Sequence, residues 1–215
     1  MPAQFVGLRN DQDGLTGNDA IRVTRGGAQV VAQAHGQYLE SAIRGRVYTG
    51  SCAAAGIIPL VAATTGGHPT LWNPSDSGRY VSVIRLRLGY VSENNAPTCL
   101  SWASTLNTGS AAGTGLAIAT ATLVAPVGVV GGALDYKAKW SPTTNTFTAA
   151  PTFFRSIGIS LFTGIATTAV APFQLEAAYD GDLVLAPGAA ISLCSAASTA
   201  TTKFQISITW EEIAI

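Results

Sequence analysis

The side chains best suited to acid–base, nucleophilic or metal chemistry are few: two histidines, His35 and His68, and three cysteines, Cys52, Cys99 and Cys194, in 215 residues. Serine hydrolysis needs a histidine beside a nucleophile and a carboxylate, and no GxSxG elbow marks such a place. There is no GxxxxGK[ST] loop to cradle phosphates and no GxGxxG turn opening a helix. A catalytic zinc usually takes three protein ligands, but the chain has neither HExxH nor a CxxC pair. His35, in Ala34-His35-Gly36, and His68, in Gly67-His68-Pro69, therefore read as surface or interface imidazoles. The widely spaced cysteines read as reduced, mostly buried thiols of a protein made in the cytoplasm.

Acidic and aromatic residues lead to the same place. Asp11 and Asp13, followed by Gly14 and then Asp19, faintly resemble a calcium loop. The third oxygen ligand before the glycine and the closing glutamate are missing. Asp180-Gly181-Asp182 reads as a hairpin turn in which Gly181 supplies a positive φ. Glu40, Glu93, Glu176, Glu211 and Glu212 flank or lie on candidate strands as ordinary outward residues. Trp72, Trp102, Trp140 and Trp210 would make a sugar platform if exposed, although Trp210 falls on a core face and Trp72, beside Asn73-Pro74, on a strand end. No catalytic residue, cofactor or metal ligand is expected, and the chain reads as a non-enzyme.

The elements that must carry these residues are mostly strands. Residues 79–91, RYVSVIRLRLGYV, place Ile84, Leu86, Leu88 and Tyr90 on one face and Arg85 and Arg87 on the other. Residues 203–213 alternate more cleanly, with Phe204, Ile206, Ile208 and Trp210 opposite Lys203, Gln205, Ser207, Thr209 and Glu211. Further candidates lie at 45–52, 57–62, 97–106, 116–124, 133–140, 153–162, 171–178, 182–186 and 190–195, separated by turn signals such as Asn73-Pro74-Ser75-Asp76-Ser77-Gly78 and Pro187-Gly188. Many short strands without a long helical period predict an all-β fold, an antiparallel β-sandwich or barrel. Residues 1–28 show no apolar period and read as an extended arm. In 29–43 a helical face of Val30, Val31, Ala34, Tyr38 and Ala42 is interrupted by Gly36, so a short helix and a strand both remain open. The division is a 1–45 arm, with its first strand or short helix, and a 46–215 sandwich domain.

Charge bounds the partners. Charged residues make up 11% of the chain, twelve basic against twelve acidic, for a net charge of zero, where an ordinary domain carries about 25%. Mean hydropathy is +0.31. Copies so nearly uncharged have little to keep them apart. A nucleic-acid partner is not expected, because phosphates require a basic footprint. Nor is a membrane: the first twenty residues lack a signal sequence's basic flank and apolar core, and the uncharged run 116–134, rich in Gly, Ala and Thr with Pro126, reads as buried strands. Charge is absent from 94–134, 156–175 and 183–202. We read these as faces that pack against neighbouring copies, the alternative being neutral, Thr-rich solvent faces.

The pattern resembles small structural proteins of tailed-bacteriophage virions, of the capsid decoration or cement type. The resemblance rests on Arg22-Val23-Thr24-Arg25-Gly26-Gly27, on 30–38 (VVAQAHGQY), on Ala42-Ile43-Arg44-Gly45, on Leu71-Trp72-Asn73-Pro74 running into the strand from Tyr80, and on Ser207-Ile208-Thr209-Trp210-Glu211-Glu212. It implies a jelly-roll-like sandwich that self-associates, with a trimer favoured, and binds the major capsid protein on the virion exterior after synthesis in the host cytoplasm. Arg22, Arg25, Val30, Val31, His35 and Tyr38 are the expected inter-subunit contacts. The alternatives are a tail, baseplate or fibre component that binds host glycan, a jelly-roll carbohydrate-active enzyme, and a capsid shell protein.

Overall fold

The computed structural model describes residues 37–53, 56–57, 69–92, 98–106, 116–118, 127–128, 135–142, 145–147, 152–160, 174–196 and 203–215. In chain order the elements are α1 (Leu39–Ile43), β1 (Val47–Ser51), β2 (Thr70–Trp72), β3 (Arg79–Ser92), β4 (Thr98–Leu106), β5 (Leu116–Ile118), β6 (Lys139–Ser141), β7 (Asn145–Phe147), β8 (Thr152–Ser160), β9 (Gln174–Ala178), β10 (Val184–Leu185), β11 (Ala189–Ser195) and β12 (Lys203–Ala214). By internal contacts the chain divides into Met1–Leu39 and Glu40–Ile215.

The fold is an all-β antiparallel sandwich. One sheet runs β1-β12-β3 with β9 and β10 on the far side of β3; the other runs β6-β2-β11-β4-β8; β5 and β7 form a separate pair. β9 and β10 lie end to end against β3, Arg85 opposite Ala178 and Ser82 opposite Val184. They are therefore one strand with a looped-out segment, since six steps along it match three along β3. Counting them as one and setting aside β5, β6 and β7, eight strands remain. Their sheet orders are 1-8-3-6 and 2-7-4-5, which is the jelly-roll arrangement of two interleaved Greek keys. The surplus over eight strands has two sources: this broken strand and the three short strands inserted between β4 and β8.

Local chemistry sets the element ends. α1 stops in a Schellman cap: Gly45 has φ +68°, Gly45 N donates to Ala42 O and Arg46 N to Ser41 O, both at 2.9 Å. Asn73 holds the turn into β3, its buried side-chain amide donating to Arg79 O at 2.8 Å and Leu185 O at 3.0 Å. Asp180-Gly181-Asp182 departs from its expected role. Gly181 does adopt a positive φ of 99°, but the chain continues in the same direction, so the segment is a bulge within a strand and not a hairpin.

The core lies between the sheets. β12 contributes Phe204, Ile206, Ile208 and Trp210, as its alternation predicts, and β4 contributes Leu100 and Trp102, all 0% exposed. On β3 the expected face is interrupted. Thr209 faces Arg85 and Trp210 faces Val83, leaving Ile84 as an extra residue. That bulge shifts the alternation, so Val81 and Val83 share the core with Leu86 and Leu88, and Ile84 is buried outside the main cluster. Gly50 on β1 lets the sheets pack closely: a Cβ there would lie 2.7 Å from the Trp140 ring on β6.

Candidate interaction surface

Of the six residues expected to contact neighbours, the structure describes one. Tyr38 is half-buried just before α1, and its hydroxyl accepts from Gln37 Nε2 at 3.2 Å. Arg22, Arg25, Val30, Val31 and His35 lie outside the described residues, as do His68, Asp11, Asp13 and Asp19.

The buried polar groups that sequence reasoning missed work inside the fold. Glu212, expected to face outward, has a side chain with 0% exposure. Its Oε1 accepts from Ala138 N at 3.0 Å and Trp210 Nε1 at 3.3 Å; its Oε2 accepts from Lys137 N at 2.9 Å and Arg79 Nη1 at 3.1 Å. A carboxylate on β12 thus clamps the chain leading into β6 and joins the two sheets at one end. Asp135 completes the group by binding Arg79 Nη2 at 2.6 Å and Lys137 Nζ at 3.0 Å. Hydrogen bonds from Lys137 and then Arg79 hold the Asp135 carboxyl below its ordinary range. Desolvation works against the Arg79 cation, but the hydrogen bonds to Asp135 and Glu212 outweigh it and raise its pKa.

A second tie closes the opposite rim. Trp102 on β4 donates through Nε1 to Tyr179 Oη at 2.6 Å, and Arg155 on β8 lies over the Tyr179 ring at 5.6 Å while its Nη1 reaches Asp182 at 2.9 Å. Burial pushes the Tyr179 phenol above its ordinary value. Because Asp182 belongs to the looped-out segment, the bulge presents a carboxylate to the facing sheet.

The outer face of the first sheet has two ends. At one, Glu176 bridges Arg85 at 3.1 Å and Arg87 at 3.0 Å. At the other, Tyr80 sits opposite Ile213, with Val184 on the neighbouring strand, and these three are 40–50% exposed. The second sheet differs from expectation. Ala190, Ser192 and Cys194 on β11, within the uncharged run 183–202, are buried inside the single chain. Their neutrality answers to burial within one molecule, so β11 is not a face for a neighbour. Among the described residues, the exposed large apolar side chains of this sheet are at its rim, where Phe153 and Phe154 on β8 are 43% and 46% exposed.

All four tryptophans are buried, Trp72 at 6% exposure and the others at 0%, so none forms a sugar platform. Asp135 and Glu212 converge on Arg79, but the enclosed Glu212 has no access to a substrate. Among the described residues no group of three or more His, Cys, Asp or Glu is placed to hold a metal ion, and no helix is long and apolar enough to cross a membrane.

The cysteines give a direct check of the packing. Burial raises the Cys52 thiol and pushes Cys194 up to about 12, whereas Cys99 is half-exposed beside Ser156 Oγ at 3.1 Å. The thiolate is the reactive form. Native protein titrated with a chromogenic disulfide at pH 8 is therefore expected to release one equivalent promptly from Cys99, and three only after denaturation. Rapid release of two or three equivalents from folded protein would contradict the burial of Cys52 beside β12 or of Cys194 on β11.

No protein-family model, curated protein sequence or solved structure matches this chain.

Proposed function

We propose that this chain is a non-enzymatic structural protein of a phage virion, a capsid decoration or cement protein that self-associates, binds the major capsid protein and stabilises the head from the outside. The observation that carries this reading is the jelly-roll strand order joined to a core in which, among the described residues, the buried polar groups Glu212, Asn73 and Tyr179 bind other parts of the fold. Jelly rolls serve viral capsids, lectins and cupins alike. Here the space between the sheets is filled by Trp102, Trp140, Trp210, Phe204 and leucines. That leaves no lumen for a cupin-type ligand among the described residues, and the buried tryptophans count against a lectin platform. Glu212, Asn73 and Tyr179 each hold the fold together, while large apolar side chains such as Phe154, Val184 and Ile213 remain exposed. With zero net charge, such a surface favours contact with protein.

In this reading the sandwich covers junctions between capsid subunits and opposes internal DNA pressure, and the 1–45 arm reaches neighbouring subunits. The test is reconstitution. Purified protein mixed with heads that lack it should co-sediment with them and raise their resistance to heat or osmotic shock, and a version without residues 1–28 should stay folded by circular dichroism yet fail to attach. Full-length protein that leaves heads bare would overturn the proposal, and attachment by the truncated protein would remove the arm from it.

A further inference from the structure

The longest unpartnered sheet rim among the described residues is β8, nine residues that pair with β4 alone. A rim strand offers a row of unpaired backbone N–H and C=O groups, a template that only another extended segment satisfies. The other rims are shorter or occupied. β6 has three residues. β1 already exchanges Thr49 N to Val127 O and Val127 N to Thr49 O, each at 2.8 Å. The β9–β10 rim is broken by the looped-out segment before Val184.

Natural rims are commonly guarded by lysine, proline, charge or bulges, and of these guards β8 carries two bulges, at Phe154 and Ile157. β8 carries one charged residue, Arg155, and its guanidinium is taken by Asp182 and the Tyr179 ring. What remains at the rim is neutral or apolar: Thr152, Phe153, Phe154 and Ser156 are exposed, and the sequence has no charge from 156 to 175.

We infer that β8 pairs antiparallel with β8 of a second copy about a twofold axis, joining two five-stranded sheets into one of ten strands. The occupant is another copy of this chain for three reasons. A twofold strand pair places the same rim on both partners, so it needs no second complementary patch. No other described rim is long enough and open enough to receive β8. A net charge of zero leaves the approach of two copies unopposed. Phe153 and Phe154 then lose their exposure against the partner. The bulges at Phe154 and Ile157 strengthen the local twist, and the isologous contact closes with two copies, so the product is a dimer and not a fibre. The inference stands apart from the virion reading, and a trimer would need a different contact.

Sedimentation of the full-length protein tests it. The parent should be dimeric at tens of micromolar, and Phe154→Lys, which sets like charges together at the pair, should raise the dissociation constant about tenfold or more with an unchanged far-UV spectrum. Ser156→Lys at another exposed rim position should do the same and carries the test if Phe154→Lys misfolds. Val184→Lys, on the other sheet, should leave the dimer intact. A parent that stays monomeric to about 100 μM would overturn the inference. So would a dimer or higher oligomer indifferent to both rim lysines, which would leave self-association, and with it the decoration reading, in place.

Discussion

Glu212→Gln is expected to lower the unfolding free energy by about 3–5 kcal/mol, the range for removing one partner of a buried, hydrogen-bonded ion pair. The surroundings of Glu212 consist of donors: Lys137 N, Ala138 N, Trp210 Nε1 and Arg79 Nη1. An amide keeps the shape but turns an NH2 toward one set of those donors, leaving N–H groups without an acceptor and Arg79 without its buried counter-ion. In urea the midpoint should fall with an unchanged denaturant slope. Asp135→Asn should do far less, because its side chain is 70% exposed and water replaces what it gives up. Equal stability of Glu212→Gln and the parent would show that the segment at 137–138 finds other acceptors.

This residue also shows where sequence reading succeeds and where it stops. The alternation over 203–213 correctly sorted Phe204, Ile206, Ile208 and Trp210 from Gln205, Ser207, Thr209 and Glu211. The same parity puts Glu212 on the inner face, yet residue type pulled the expectation outward. The signal was present, but its explanation lay 75 residues away at Lys137. Other departures had no local signal. The extra residue Ile84 is defined by its partner β12, and the loop at Asp180-Gly181-Asp182 by the continued pairing of β10 with β3. Turn residues report a local dihedral, and Gly181 reported it correctly; whether the chain then reverses depends on which strand waits beyond. β2, at three residues, was too short for a period to register. Phe153 and Phe154 fell in a candidate strand, but that β8 is a rim follows from strand order, a property of the whole chain.

The charge deficit divides in the same way. Along β11 it reflects side chains enclosed on both faces of a strand within one molecule, as in the tight β11–β4 contact of Cys194 and Ala103. Small neutral residues suit such a site because they cost little rotamer entropy when buried. Along β8 the uncharged run begins at Ser156, just beyond Arg155 and the exposed Phe153 and Phe154 of an open rim, and there it bears on partners.

The second large effect belongs to Trp102, whose truncation to alanine is expected to cost about 3–5 kcal/mol. Its ring fills the space between β4 and the facing sheet at 0% exposure, so much of this loss is a cavity that neighbouring strands cannot collapse to fill. Trp102→Phe separates the terms. It retains most of the apolar volume but removes the indole N–H that donates to Tyr179 Oη at 2.6 Å, for an expected loss of about 1–3 kcal/mol. Tyr179→Phe strips the same bond from the other side and leaves the indole N–H unsatisfied. Combined with Trp102→Phe it should cost less than the sum of the two single changes, because one bond is lost once and neither partner is then left unpaired. Strict additivity would mean that the contact contributes packing alone. Since Arg155 rests on the Tyr179 ring and binds Asp182, a loosened Tyr179 should also free the one charge on β8. The Trp102→Phe protein should then dimerise less well at that rim, linking the interior tie to the surface it keeps neutral.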